Sequence, residues 1–287
     1  MKICLLTHDL NTKDGGGRFS FDLVSNLKSA GQEVKVLTNS DILKNPWLNF
    51  LKIRKYFKDS DLVHAIDIWP NGFYAKAISF GLKKPIVITA LGTYSVAPFY
   101  SWRRPLMIWA SRNAQIIAIS DNTKKKINKI SANLDVKVIY PGFNLDFWSD
   151  SHSFPDDEIL RFKPYILSVG ALKFRKGYNN SIRAFSIVAK QFKNLNYVIV
   201  GQGEESNYGK ELKNIIKENK LENQVFFISS EIDDNALLRF YRNAELFVLT
   251  PVEEDHHFEG FGIVYLEAAA SGLPVAMTNV GVAGEVI

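Results

Sequence analysis

The stretch FEGFGIVYLEAAASGLP, residues 258–274, places Glu259 and Glu267 eight positions apart around a predicted helix start. Glycines precede its apolar run, and a Gly-Leu-Pro stop follows, so the pattern predicts a helix from Gly262 to Ser271 with Pro274 opening the next strand. Helix N-termini bind anions. At ~1.5 Å of rise per residue the two carboxylates span roughly 12 Å, which suits a compact ligand with an anionic middle. An ordinary helix with one capping acid and one surface acid is the alternative.

Composition describes a globular chain with a mild basic excess. Its 287 residues are 46% hydrophobic, and 35 basic residues face 30 acidic ones, for a net charge of +5 and a pI near 9.0. This balance is unlike a nucleic-acid coat but suits an anionic small ligand or a membrane surface. Cys4 is the sole cysteine, which excludes an intrachain disulfide or cysteine metal cluster. With no run of ~18 apolar residues, we expect a cytoplasmic protein, and peripheral contact with the inner face of the membrane is compatible with the sequence.

Short Val-, Ile- and Leu-rich runs alternate with helical patterns along the whole chain. Six such runs, from KICLL to VKVIY, precede a polar stretch at 149–164, and five more, from YILSVG to LPVAMT, follow it. This rhythm predicts an α/β protein of two Rossmann-like, doubly wound parallel-sheet domains, 1–150 and 164–287. A stiff spacer within one large sheet is the alternative. Little follows the last predicted strand, so we expect the second domain to be small or incomplete.

Glycine-rich loops follow several predicted strands, where open α/β sheets bind ligands. Gly15, Gly16 and Gly17 precede a helical pattern and could let a phosphate approach backbone N–H groups, although a tight turn explains them equally well. VIVGQGEES resembles a dinucleotide fingerprint but has Ser206 at its third glycine position, which argues against a nicotinamide or flavin enzyme. The acidic pair at 59–61 precedes a strand, and the histidine pair at 256–257 has no third ligand, so neither predicts a metal site.

Several stretches together resemble one known family. EGFGIVYLEAAASGLPV is similar to the E-x7-E motif of the large GT4 family of retaining GT-B glycosyltransferases. Further similar stretches occur in the family's order: the glycines at 15–17, DLVHAI, IIAISDNTKKKI, VIYPGFNLDFW, ILSVGALKFRKGYNNSIRAF, YVIVGQGEE and LLRFYRNAELFVLTP. The resemblance implies the GT-B fold, with two Rossmann-like domains facing across a cleft. It also implies a transferase of glycan biosynthesis that moves a sugar from a nucleotide-diphosphate sugar to an acceptor with retention of configuration.

The resemblance also implies roles for individual residues. Glu259 would contact the hydroxyls of the donor sugar, Glu267 the ribose hydroxyls, and Arg175 and Lys176 the leaving diphosphate, which makes Glu259, Arg175 and Lys176 the catalytic candidates. The other donor-binding candidates are Gly16, Gly17, Gly201, Phe261, Gly262 and Ile263. No metal or cofactor is expected, because the leaving phosphate would help to deprotonate the acceptor, and Glu259 is not expected to act as a nucleophile.

Three departures from the family pattern bear on activity. Ala171 stands where many relatives have an arginine, and Leu91 stands where many have a histidine near the reaction centre, so no catalytic group is assigned in the first domain. Family members also continue well beyond the final GEVI, through a helix that packs on the first domain. These departures leave a second hypothesis open, namely a non-catalytic nucleotide-sugar-binding protein or an inactive fragment.

The first domain would hold the acceptor, and two of its segments mix aromatic and basic residues. In 45–58, Trp47, Phe50, Leu51 and Arg54 fall at helical spacing; in 97–112, Trp102, Arg103, Arg104 and Trp109 resemble an interfacial patch. These segments suggest a membrane-bound or lipid-linked acceptor as an alternative to a saccharide. An apolar stripe facing the core, with cations snorkelling from it, explains the same pattern.

Overall fold

A computed structural model describes residues 1–12, 14–43, 46–149, 157–230 and 232–286. The chain divides into two compact units, Met1–Pro141 and Gly142–Ile287. Each unit is built around its own parallel sheet. Two separate sheets exclude the alternative of a spacer within one large sheet.

The first unit contains a six-stranded sheet within the described residues, in the order β2-β1-β3-β4-β5-β6, with every pairing parallel. The strands are β1 Lys2–Thr7, β2 Glu33–Thr38, β3 Leu62–Ile66, β4 Ile86–Ala90, β5 Gln115–Ala118 and β6 Val136–Val138. The helices are α1 Gly15–Ser29, α2 Asn39–Leu43, α3 Pro46–Asp59, α4 Phe73–Ile78, α5 Thr93–Val96, α6 Arg104–Ser111 and α7 Asp121–Ile130. All six strands coincide with the predicted apolar runs, because a parallel strand covered on both faces is apolar almost throughout.

The second unit contains a five-stranded parallel sheet within the described residues, in the order β11-β10-β7-β8-β9. Its strands are β7 Tyr165–Val169, β8 Asn196–Val200, β9 Val225–Ile228, β10 Leu246–Leu249 and β11 Val275–Met277. Its helices are α8 Leu145–Ser149, α9 Asp157–Leu160, α10 Tyr178–Gln191, α11 Asn207–Glu218, α12 Asp234–Asn243, α13 Ile263–Ala270 and α14 Ala283–Val286. Large aromatic side chains, including Tyr165, Tyr197, Tyr241, Phe247 and Tyr265, are fully buried in its core.

The boundary between the units lies earlier than the predicted residue 150. Trp148 on α8 is buried in the core of the second unit, where its ring meets Tyr241 edge-on at 5.7 Å between centroids. Its carbonyl oxygen also accepts hydrogen bonds from Arg242 and Ser271, each at 3.3 Å. Burial of this indole therefore assigns residues 142–149 to the second unit. Of the predicted linker, residues 150–156 lie outside the described residues.

Among the described residues, no helix has both the length and the apolar character needed to cross a bilayer.

Candidate functional site

The topology of the second sheet marks where a ligand would bind. From β7 the chain runs outward through β8 to β9, whereas β10 and β11 lie on the other side of β7. The connections that follow β7 and β10 therefore start side by side at the carboxyl edge of the sheet and lead away in opposite directions, the arrangement that forms a ligand crevice in open α/β sheets. Ligands of open α/β sheets bind at this kind of switch point.

An ion cluster joins these two loops. Glu259, in the loop after β10, accepts a hydrogen bond from Arg175 Nη1 at 2.6 Å, and Lys176 Nζ lies 2.8 Å from the same carboxylate oxygen. Both cations belong to the 3-10 turn Phe174–Lys176 after β7. The side chain of Arg175 is 25% exposed, that of Lys176 9% and that of Glu259 11%, so the cluster is mostly shielded from water. The structure thus brings together all three predicted catalytic residues.

Gly177 allows the two loops to approach this closely. Its φ of +69° is left-handed, and a Cβ on this residue would lie 1.7 Å from the carbonyl oxygen of Thr250. Across the same contact, Thr250 Oγ1 donates to the carbonyl oxygen of Gly177 at 2.7 Å. The N–H of Val252 donates to the carbonyl oxygen of Arg175 at 3.0 Å. The backbone contact therefore sets the position of both cations relative to Glu259.

The cluster carries two positive charges against one negative charge. Burial by itself would favour the neutral acid, but Lys176 and Arg175 together hold the pKa of Glu259 below its ordinary value of 4.5. The carboxylate is therefore ionised at neutral pH, and one cation remains uncompensated within the cluster. A mostly buried excess cation attracts an anionic ligand strongly, because solvent screens it little.

The helix predicted from the glutamate pair is present. α13 runs from Ile263 to Ala270, with Gly262 as its N-cap at φ +79° and Ser271 as its C-cap, which confirms the predicted bounds. As a glycine, Gly262 makes no side-chain cap hydrogen bond to the first turn. Phe261, 8% exposed, precedes this cap. The first turn of α13 begins beside Glu259, because a Cβ on Gly262 would lie 3.6 Å from Cγ of that residue, and a helix N-terminus favours anions.

Glu267 lies further along α13 and is buried, at 9% exposure. Tyr241 on α12 donates its hydroxyl proton to Oε2 of Glu267 at 2.8 Å. Tyr241 is in turn packed between Trp148 and Phe247. The sequence did not indicate this partner, because Tyr241 lies 26 positions away on another helix.

Gly201 has a packing role in this structure. A Cβ at this position would lie 2.1 Å from the carbonyl oxygen of Gly170, so only glycine lets the loop after β8 approach the loop after β7. Gly170 itself has a φ of +138° and lies beside Lys176 and Tyr178. A direct contact between Gly201 and a donor stays a prediction.

In the first unit, Gly16 and Gly17 form the first turn of α1 rather than a loop before it. Their N–H groups both donate to Oδ1 of Asp14, at 2.9 Å each, so Asp14 caps the helix at the place where a phosphate was expected. A Cβ on Gly17 would lie 2.1 Å from the carbonyl oxygen of Asn11, whereas Gly16 has more room. Phosphate binding by these two glycines stays a prediction, and it requires Asp14 to release them.

Asp67 is a carboxylate that sequence reasoning missed. It follows β3, which meets β1 at the switch point of the first sheet, and its backbone adopts a φ of +66° that is uncommon outside glycine. Its Oδ1 accepts hydrogen bonds from Ser95 Oγ at 2.6 Å and from the N–H of Leu91 at 3.0 Å. Burial raises the pKa of Asp67 to about 6, although both hydrogen bonds oppose that rise. The positive φ is visible only in the structure, so the sequence carried no signal for it.

The acidic pair that the sequence singled out lies away from the carboxyl edge of the first sheet. Asp61 accepts a hydrogen bond from the N–H of Lys2, the first residue of β1, which places it at the amino edge of the first sheet. Among the described residues, no group of three or more His, Cys, Asp or Glu side chains is arranged to hold a metal ion.

Two family models match the chain, one on each unit. The model for Glycosyltransferase Family 4 matches residues 13–147, and the model for Glycosyl transferases group 1 matches residues 153–287. Together they leave out only residues 1–12 and 148–152. These matches and the two parallel-sheet domains define the class as GT-B glycosyltransferases. Within that class, the chain belongs to the family of group 1 and family 4 glycosyltransferases.

Individual proteins are similar to this chain over part of their length. An uncharacterised glycosyltransferase of Methanocaldococcus jannaschii is 31% identical over 189 residues, which is 61% of this chain and 45% of the relative. Mannosylfructose-phosphate synthase of Agrobacterium fabrum is 34% identical over 118 residues, 39% of this chain and 25% of the relative. The chain thus spans less than half the length of these curated relatives.

Solved structures share the fold over the whole chain. Anabaena HepE, crystallised with UDP and glucose, superposes with a TM-score of 0.74 at 22% identity, covering 100% of this chain and 83% of HepE. Sucrose-phosphate synthase of Thermosynechococcus elongatus gives a TM-score of 0.69 at 18% identity, covering 98% and 82% of the two chains. Identities this low establish the fold alone.

Proposed function

We propose that the protein transfers a sugar from a nucleotide-diphosphate sugar to an acceptor, with retention of configuration and without a metal ion. One observation carries this proposal: Arg175, Lys176 and Glu259 meet at the switch point of the second sheet, beside the N-terminus of α13. The family of the chain and the nucleotide-sugar complexes of its structural neighbours support the same function.

The donor would bind along the crevice with its diphosphate in the middle. Arg175 and Lys176 provide the positive charge, and the N–H groups at the start of α13 add fixed dipoles of the same sign. Glu259, freed from part of its pairing when the diphosphate takes over the cations, would accept hydrogen bonds from the sugar hydroxyls. Glu267, oriented by Tyr241, would accept hydrogen bonds from the ribose hydroxyls.

The reaction breaks the bond between the anomeric carbon and the diphosphate oxygen. Negative charge grows on the leaving diphosphate, and Arg175 and Lys176 stabilise that charge where it develops. The acceptor hydroxyl then bonds to the anomeric carbon from the same face, which retains the configuration. Its proton passes to an oxygen of the departing diphosphate, so no carboxylate nucleophile and no metal ion are needed.

The acceptor, a saccharide or a lipid-linked molecule, would be held by the first unit. Leu91 itself has no titratable group. Its N–H donates a hydrogen bond to Asp67, an ionisable side chain at the carboxyl edge of the first sheet. The opposing hypothesis of a binder without activity predicts a response to nucleotide and no transfer, so product formation separates the two.

The first test measures thermal unfolding against UDP, GDP, ADP and their sugars. A ligand present at about one hundred times its dissociation constant should add about 2.7 kcal/mol to the free energy of unfolding. Glu267→Ala should lose that response, whereas Glu222→Ala, at an exposed position on a loop, should keep it. If no nucleotide stabilises the wild-type chain, or if Glu267→Ala responds as well as the wild type, the assigned donor site is wrong.

A further inference from the structure

The first unit carries a group of exposed aromatic side chains on neighbouring helices. Tyr94 on α5 is 67% exposed, Trp102 before α6 is 74% exposed, and Trp109 on α6 is 36% exposed, with Tyr100 between them at 54%. We call these four residues the aromatic patch. Large apolar groups gathered on a surface mark an interaction site rather than a chance exposure.

The fold holds the patch outward instead of leaving it loosely exposed. α6 buries Met107 and Ala110 in the core, which turns Trp109 to the opposite side. The guanidinium of Arg103 lies 5.1 Å from the ring centre of Trp102 and 5.2 Å from that of Trp69. This cation–π contact favours the outward position of Trp102.

The segment that carries the patch is basic, although the carboxylate of Asp67 contacts it through hydrogen bonds from Ser95 and Leu91. Residues 68–120 contain no Asp or Glu, although the whole chain has 30 acidic residues against 35 basic ones. Four basic residues of that stretch lie on α4, on α6 or at its ends: Lys76, Arg103, Arg104 and Arg112. The surface therefore complements a negatively charged partner.

The other segment that the sequence singled out, 45–58, also exposes apolar side chains. In α3 the buried side chains are Ile53 and Phe57, and Arg54 donates to the carbonyl of Ile78 at 2.7 Å. The predicted stripe is therefore not the core-facing side of α3; Leu51 is 72% exposed, and the side chain of Trp47 lies outside the described residues. In 97–112 the core takes Phe99 and Met107 instead of the two tryptophans.

From these observations we infer that the aromatic patch and its arginines dock the first unit on an anionic lipid bilayer. Trp and Tyr side chains lie at the level of the lipid headgroups, where their rings are apolar and their polar tips are hydrated. Arg and Lys beside them are attracted by the negative surface of the bilayer. This inference does not depend on the proposed transfer reaction, since binding needs neither donor nor acceptor.

The test is co-sedimentation with vesicles of phosphatidylcholine alone or mixed with phosphatidylglycerol. The wild type should sediment with the anionic vesicles at low ionic strength and lose binding as salt rises. Trp102→Ala should weaken partitioning about tenfold, from the apolar surface it no longer buries. Arg104→Glu should weaken it about twenty-fold or more, since each cation contributes roughly fivefold.

Matched controls separate the patch from surface chemistry in general. Leu51→Ala removes an equally exposed apolar side chain from α3, and Arg183→Glu reverses an exposed charge on α10 of the second unit. Both should bind within about twofold of the wild type. Circular dichroism should show all four variants folded. In a second measurement, brominated lipids should quench tryptophan fluorescence in the wild type and quench it less in Trp102→Phe.

Three outcomes would overturn the inference. The wild type could stay in the supernatant with anionic vesicles, or Leu51→Ala could lose as much binding as Trp102→Ala. Alternatively, binding could depend on Arg104 but not on Trp102 and be abolished by soluble heparin, which would identify an acidic macromolecule as the partner instead of a bilayer. A nucleotide response in the unfolding assay would be unaffected by any of these results.

Discussion

Replacement of Glu259 by glutamine tests the ion cluster most directly. The change keeps the shape of the side chain and removes the charge that Arg175 and Lys176 share at 2.6 and 2.8 Å. Breaking a buried ion pair from one side costs about 3–5 kcal/mol. Arg175 is one quarter exposed and glutamine still accepts a hydrogen bond, so we expect the lower end, about 3 kcal/mol. In a chain of this size that lowers the melting temperature by roughly 10 °C.

The assay is thermal and urea unfolding of Glu259→Gln, Lys176→Met and the double variant, with Glu222→Gln as an exposed control. The double variant should be about 2 kcal/mol more stable than the sum of the two single effects predicts. With both residues replaced, no buried lysine is left without the carboxylate that it pairs with. Pyrophosphate should stabilise Glu259→Gln more than the wild type, since no carboxylate competes for the cations. Additive effects, or a Glu259→Gln protein within ~0.5 kcal/mol of the wild type, would refute the reasoning.

The same cluster has a pH signature. Because the pKa of Glu259 is depressed in the folded state, its stabilising contribution is fully present above the ordinary value of 4.5 and is lost as pH falls through the folded value. The difference in stability between the wild type and Glu259→Gln should therefore shrink below pH 4.5. A difference that is constant down to the acid transition would contradict the depressed pKa.

Three further predictions concern other parts of the two units. Gly177→Ala should destabilise the protein by more than about 3 kcal/mol in urea titrations. The new Cβ would lie 1.7 Å from the carbonyl oxygen of Thr250, and the φ of this residue is left-handed. A loss below ~1 kcal/mol would show that the two loops separate easily. Tyr241→Phe should lower the free energy of unfolding by about 1–2 kcal/mol, because Glu267 loses the hydrogen bond from the Tyr241 hydroxyl. It should also weaken nucleotide binding measured by calorimetry. Unchanged affinity would argue against Glu267 as the ribose ligand. Asp67→Asn should gain stability relative to the wild type as pH rises from 3.8 to about 6, by up to about 3 kcal/mol, because the wild-type carboxylate must ionise at a partly buried position. Parallel stability curves would rule out the raised pKa.

Much of the fold was predictable because parallel strands have a strong local signature. The eleven apolar runs correspond to the eleven strands among the described residues, since a strand buried on both faces has little room for polar side chains. The bounds of α13 were also predictable, because glycine at each end of the helix adopts a positive φ that few other residues tolerate. Both signals depend only on neighbouring residues.

The unit boundary was less predictable for a related reason. The polar stretch at 149–164 is a compositional signal, but the division after Pro141 depends on where Trp148 is buried. Its partners, Tyr241, Arg242 and Ser271, come from far along the chain. A contact of that kind leaves no mark in the local sequence.

The sequence by itself determined the class of fold and the two sheets, because periodicity and glycine positions are local properties, and the resemblance of its motifs to a known family indicated which residues of the second unit would act together. Tertiary structure alone decided that Glu259 pairs with both cations, that Asp14 occupies the N–H groups of Gly16 and Gly17, and that Asp67 is a partly buried carboxylate with a raised pKa. These features depend on which loops a sheet order brings side by side and on how deeply each charge is shielded from water. Charge pairing and burial are therefore properties of the folded chain, not of any segment within it.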